Sequence, residues 1–147
     1  MDGLRLQCLT QNDWVLIRSK AVQRTYKLGD EIVHQGDWGD HFYIIRRGEA
    51  SVELASSGSR TILAWLGPGD VCGDMAFLEQ GRYSATVVAK DDQVEVDAIE
   101  ARELRSMLED FPGLAARFFQ SLALVLVQRL RITSGELARE MALRDRQ

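Results

Sequence analysis

The sequence predicts a mainly β fold with flanking helices, a double-stranded β-helix or jelly-roll β-roll entered by an N-terminal helix and followed by C-terminal helices. Two observations carry this. Between Thr25 and Ile99 the chain breaks into short runs rich in Val, Ile, Tyr and Thr, punctuated by Gly29-Asp30, Gly36-Asp37, Gly39-Asp40, Gly48, Gly58, Gly67-Pro68-Gly69-Asp70, Gly73-Asp74 and Gly81. Short strands at turn-marked intervals indicate a sandwich or closed roll, not a βαβ sheet. From Glu100 onward no strand signal remains, and apolar residues recur at helical spacing.

Each element follows in order. Thr10 can cap a helix that continues to about Arg24, with Asp13 in its first turn and Trp14, Ile17 and Ala21 on one face. Strand-length runs are Glu31–His34, His41–Arg46, Glu49–Leu54, Thr61–Leu66, Tyr83–Ala89 and Gln93–Val96. Ala101–Glu109 reads as a short helix stopped at Phe111-Pro112, because the residue before proline is pushed out of the helical region. Pro112 then opens a new helix, where its missing N–H costs nothing. The resulting division of 1–147 is a helical segment at 1–24, a β-roll at 25–99 and helices at 100–147, all one domain.

The helix after Pro112 runs well past Leu130. Ala115, Phe118, Phe119, Leu122, Val125, Leu126 and Leu130 share a broad apolar flank, and Ala123, Leu124 and Val127 are apolar too. A helix greasy on most sides needs two packing surfaces. The roll supplies one, and a second copy of the helix is the expected other, giving a homodimer through Phe119, Leu122 and Leu126. The alternative is a helix buried wholly within one protomer.

Composition bounds the function. The 147 residues carry a net charge of −4 with 46% hydrophobic and 27% charged side chains, the balance of an ordinary globular protein. Residues 113–147 hold Arg117, Arg129, Arg131, Arg139, Arg144 and Arg146 against Glu136, Glu140 and Asp145, whereas 1–112 is strongly acidic. Six dispersed arginines read as a solvated helix face, and an acidic body is not a surface that displaces counterions from DNA. Met1 to Thr10 alternates apolar with polar residues and lacks a basic n-region, so no signal peptide is expected. The longest apolar run, Leu122 to Val127, is too short for a membrane span. A cytoplasmic protein without membrane contact is expected.

Catalysis is not expected. His34 and His41 are the only histidines, and a metal site wants a third and usually a fourth ligand beside them. Metalloenzymes of the wider double-stranded β-helix class resemble His-x-His followed by Glu and a later His, a pattern missing from this chain. No Walker loop, Ser–His–Asp spacing or paired-carboxylate motif is present either. Cys8 and Cys72 form no Cys-x-x-Cys pair. Cys72 near a helix start invites a redox role, but a small buried hydrophobe is the favoured reading. Trp38 reads equally as an exposed contact residue or as cover for the end of the roll.

The segment Leu66-Gly67-Pro68-Gly69-Asp70-Val71-Cys72-Gly73-Asp74-Met75-Ala76-Phe77-Leu78 is more informative. It reads as a turn, a short strand, a second turn at Gly73, and a helical piece starting near Asp74. Unpartnered N–H groups at such a start can face an anion, and Gly73 allows close approach. Downstream, Arg82 offers a cation and Ser84 a hydroxyl.

Together with Gly29-Asp30-Glu31-Ile32, with Gln35-Gly36-Asp37-Trp38-Gly39-Asp40-His41-Phe42-Tyr43-Ile44-Ile45, with Gly48 and with Ser84-Ala85-Thr86-Val87-Val88-Ala89, these pieces resemble the cyclic nucleotide-binding domain family over about residues 20–130. The resemblance implies an eight-stranded jelly roll, a phosphate-binding cassette and one or two C-terminal helices. It implies a non-catalytic sensor that takes a cyclic nucleotide, cAMP or cGMP, or a related phosphate ligand in the β-roll, and regulates an effector the sequence does not name. The ligand-binding residues it implies are Gly73, Asp74, Met75, Ala76, Arg82, Tyr83, Ser84 and Ala85, with no resident cofactor. A degenerate, dimerising adaptor or protein-interaction module without nucleotide is the alternative. Transcription factors of the catabolite-activator type carry a further helix-turn-helix, and with the sequence ending at Gln147 no DNA contact is expected.

Two departures matter. The family cassette resembles Phe-Gly-Glu-(Leu/Met)-Ala, followed by an Arg directly before a small residue and Ala. Glu takes the ribose 2′-hydroxyl and Arg takes the cyclic phosphate. Here Cys72 stands at the Phe position, Asp74 at the Glu position and Tyr83 at the Arg position, with Arg82 one residue early. In a strand that offset turns Arg82 outward and Tyr83 inward. Each lost charge-assisted hydrogen bond costs ~1.5–3 kcal/mol, so the pair weakens binding by on the order of a hundredfold to ten-thousandfold.

Overall fold

The computed structural model describes residues 5–146. The first four residues of the segment read above as lacking a signal peptide lie outside them. Helix α1, Gln11–Lys20, starts at a capping box in which the Thr10 hydroxyl accepts the Asp13 N–H and the Asp13 carboxylate accepts the Thr10 N–H. It ends before the expected Arg24. Ala21 is extended, and β1, Val22–Tyr26, follows at once. The reason is pairing: β1 lies antiparallel to the chain's last strand with Val22 opposite Ala98 and Tyr26 opposite Val94. The β-roll therefore begins inside the segment expected to be helical.

The remaining strands are β2 Glu31–Val33, β3 His41–Arg47, β4 Ala50–Ser56, β5 Ser59–Leu66, β6 Val71–Cys72, β7 Thr86–Ala89 and β8 Val94–Glu100. They form two four-stranded sheets, ordered β1-β8-β3-β6 and β2-β7-β4-β5, the mainly β jelly roll expected. Residues 83–85 lie before β7 rather than in it. Between β6 and β7 sits α2, Asp74–Glu79, a helix of 6 residues.

Two helices close the chain, α3 Ala101–Asp110 and α4 Pro112–Asp145, with Pro112 at the first turn of α4. The face of α4 bearing Leu114, Phe118, Ser121, Leu122 and Val125 is buried. The ring of Phe118 lies 5.6 Å from that of Phe42 on β3 and 5.9 Å from that of Phe77 on α2. This aromatic trio joins roll, cassette helix and α4 into one apolar core. Polar ties reinforce it. Arg117 of α4 makes a fork on the buried Asp13 carboxylate, with Nε at 2.6 Å and Nη2 at 2.9 Å, and Ser121 Oγ accepts the Cys8 N–H.

Leu122 is thus a core residue of its own protomer, and its expected place in a dimer contact is corrected: it points at the roll and is 1% exposed. The opposite face of α4 leaves Phe119, Leu124, Val127, Leu130, Leu137 and Met141 open, with Leu126 half-buried at the margin. Among the described residues no helix is long and apolar enough to cross a membrane.

Candidate functional site

A cavity of about 310 Å³ opens between the roll, the cassette and α4. Val33, Val52, Leu63, Ala64 and Val87 give it apolar walls, α2 and the preceding turn give Cys72, Gly73, Asp74, Met75 and Ala76, and α4 covers it with Arg129, Ile132 and Thr133. Tyr83, Ser84 and Ala85 complete the lining. Seven of the eight expected site residues therefore meet at one place. Arg82 does not join them.

The cassette turns where it does because of Gly73. Its φ is +82°, and a Cβ there would stand 2.8 Å from the His41 carbonyl oxygen and 3.4 Å from Tyr83 Cε1. Only glycine combines that conformation with that approach. The turn sets Asp74 as the first residue of α2, with its side chain inside the protein.

Tyr83 and Arg82 part company. The Tyr83 ring turns inward, and its hydroxyl donates to the His41 carbonyl at 2.9 Å and accepts the His41 N–H at 3.2 Å. Burial pushes this phenol up to about 12. Arg82 faces solvent. Its Nη1 donates to the Gly36 carbonyl at 2.8 Å and its guanidinium lies 4.4 Å over the Trp38 ring, in an isolated bridge between Trp38 and Arg82. Arg82 is accordingly removed from the cavity set, because the backbone pairing of 36–39 with 81–83 sends alternate side chains to opposite sides. Trp38, 62% exposed, is a surface residue.

The charged feature of the cavity was not anticipated from sequence. Arg129 of α4 reaches across 55 residues of chain to Asp74, with Nη1 at 2.8 Å from both Oδ1 and Oδ2, and Nη2 donates to the Val71 carbonyl at 3.0 Å. The Asp74 side chain is 1% exposed. Asp74 is thus paired on both oxygens by the protein itself. The sequence did hold a signal: Arg129 falls seven residues after Leu122 and four after Val125, on the buried face of α4.

Ser84 lies exposed at the cavity mouth, its hydroxyl 3.9 Å from Met75 Sδ. Burial pushes the Cys72 thiol up to about 12, the opposite of acidification by a helix start. The histidines serve separate carboxylates, His34 with Glu31 at 2.8 Å and His41 with Asp40 at 3.0 Å. Among the described residues no three His, Cys, Asp or Glu side chains gather as a metal site.

Comparison with known proteins matches residues 23–111 to the family model described as cyclic nucleotide-binding domain. The chain is 33% identical over 123 residues to a cyclic AMP receptor protein of Thermus thermophilus, covering 83% of this chain and 55% of the relative. It is 30% identical over 130 residues to cyclic GMP-binding protein C of Dictyostelium discoideum, covering 83% of this chain and 5% of that protein. The crystal structure of the Thermus thermophilus catabolite activator protein superposes with a TM-score of 0.75 at 30% identity, covering 90% of this chain and 61% of that one. The chain spans about half the length of the Thermus relative. The expectation that DNA plays no part draws no support from relatives of this kind.

Proposed function

The chain belongs to the cyclic nucleotide-binding domain family, and we propose that it acts as a non-catalytic ligand-sensing domain whose cavity takes a cyclic mononucleotide. The observation that carries this reading is the convergence of Gly73, Asp74, Met75, Ala76, Tyr83, Ser84 and Ala85 on one cavity roofed by α4. A ligand there touches roll and helix at once, so occupancy and the setting of α4 are coupled. The relatives named for cyclic AMP and for cyclic GMP leave the base open, and the apolar walls suit a planar base of either kind. The open stripe on α4 supports a homodimer through that helix, in a cytoplasmic regulator acting on an effector or on DNA.

Isothermal titration against cAMP, cGMP and cyclic dinucleotides tests the reading. We expect one saturable site per chain for a cyclic mononucleotide, in the high micromolar range. Absence of heat with every member of the panel sinks it.

A second reading, a dimerising adaptor without nucleotide, is favoured by one observation: the Asp74 carboxylate is already paired on both oxygens by Arg129. A dimer that persists while the whole panel fails to bind would select it.

A further inference from the structure

We infer that the ligand's phosphate is received by Arg129 of α4, which exchanges the Asp74 carboxylate for the phosphate on binding; this rests on the cyclic nucleotide reading above. Among the described residues Arg129 is the one cation lining the cavity. The roll contributes none, since Arg82 is engaged outside by Gly36 and Trp38. In the structure, Arg129 is neutralised by a buried carboxylate. An anion entering the cavity therefore meets an ion pair without net charge, and gains a strong contact only by taking the guanidinium from Asp74.

The exchange has a condition. A buried carboxylate stripped of its cation is costly, so the same ligand must supply a donor to Asp74. A cyclic nucleotide carries both groups, a singly charged phosphodiester and a free hydroxyl on the adjoining sugar carbon. One ion pair breaks, one forms, and the sugar hydroxyl donates to the carboxylate. Inorganic phosphate and uncharged nucleosides each bring one half and cannot complete it.

The consequence falls on α4. Val125 is the last fully buried residue of that helix, and Arg129, with Ile132 and Thr133 at the cavity, forms the next contact with the roll. Changing the partner of Arg129 changes what holds this turn. The ligand, rather than Asp74 of α2, then sets its position.

The test compares the wild-type chain with Asp74→Asn and with the double variant Asp74→Asn/Arg129→Gln. Asp74→Asn removes the buried carboxylate and leaves Arg129 a quarter exposed and still donating to the Val71 carbonyl, and the double variant removes both charges, so both are expected to fold, which thermal unfolding checks. With cAMP and cGMP as probes in calorimetry, Asp74→Asn should bind at least tenfold more tightly than wild type, because the competing carboxylate is gone. The double variant should lose at least tenfold relative to Asp74→Asn. Hydrogen exchange of the α4 amides at 126–133 should be faster in unliganded Asp74→Asn than in wild type, and slowed by ligand in Asp74→Asn but not in the double variant. If wild type binds a cyclic nucleotide while Asp74→Asn and the double variant bind it equally, Arg129 is not the receptor, although the cyclic nucleotide reading stands. If none of the three binds either probe, that reading falls and this inference falls with it.

Discussion

The Tyr83 hydroxyl brackets the His41 peptide, giving a hydrogen bond to its carbonyl and taking one from its N–H. His41 opens β3, so Tyr83 is a structural tie between the segment before β7 and the central strand. Removing the hydroxyl leaves a partly buried donor and acceptor of the His41 peptide without this partner. Tyr83→Phe should therefore lower stability by about 1–3 kcal/mol in urea unfolding, with little change in ligand preference. A neutral effect on stability would show that the bracket contributes nothing.

Restoring the family pattern at the same position should have a different outcome. The pair Asp74→Glu with Tyr83→Arg places a second guanidinium beside the cavity that the carboxylate–Arg129 pair does not neutralise. Affinity for cAMP should rise at least tenfold in calorimetry, since the added charge meets the phosphate away from bulk water. Arg82→Ala should leave affinity unchanged, because that side chain lies under solvent against Trp38. Loss of binding on Arg82→Ala would mean that the turn at Gly81–Arg82 rearranges on binding.

The orientation of residues 82 and 83 could be read from sequence because it needs only alternation. The capping box at Thr10 and Asp13 was legible for a similar reason, its chemistry being contained within four residues. Strand β1 was not legible. Val22–Tyr26 is mostly polar and half-exposed, and no glycine or proline separates it from α1, so only its pairing to β8 defines it. Arg129 was hidden differently. Counted with the other C-terminal arginines it looks like one of a solvated set, whereas its phase relative to Leu122 and Val125 places it on the buried face. Side-chain chemistry that joins positions 55 residues apart is a tertiary fact, and periodicity points to the face without naming the partner.

Stability should fall in acid through the tie between α1 and α4. The Arg117 fork holds the Asp13 carboxyl down to about 2, from an ordinary 3.8. A carboxylate with a depressed folded pKa contributes stability that is complete above its unfolded pKa and lost as pH drops toward the folded one. That window runs from about pH 4 down to about pH 2. Because the Arg117 side chain is 39% exposed, solvent screening reduces the contribution to about 1–2 kcal/mol. Urea unfolding between pH 5 and pH 2 should show this slope in wild type and a shallower one in Asp13→Asn. Equal slopes would remove the pair from the acid response.

Thiol reactivity should separate the two cysteines. Cys72 is buried in the cavity wall with its thiol pushed up to about 12, so the thiolate that reacts is almost unpopulated near neutrality. Cys8 is half-buried. A disulfide reagent at pH 8 should modify at most one thiol per native chain and two after unfolding. Rapid modification of Cys72 in the native protein would show that the cavity opens far more widely than the structure does, and slowing of that modification by cAMP would report occupancy.

The proposed association through α4 rests on its outward face. Its outward face repeats apolar side chains at Phe119, Val127, Leu130, Leu137 and Met141, each open to solvent in the single chain. Their spacing approximates the three-and-four alternation that seats two helices against one another. Because Leu122 faces inward, replacing it with Glu would bury an unpaired charge in the core and unfold the protomer, so it cannot report on assembly. The informative pair is Leu130→Glu with Leu137→Glu, two exposed positions on the outward face beyond the last buried residue of the helix. Light scattering should give a dimer for wild type and a monomer for this variant, with unchanged far-ultraviolet circular dichroism. If the variant remains dimeric with its fold intact, the contact lies elsewhere, and the edge strand β5, where Ile62 and Trp65 stand exposed, becomes the surface to mutate next.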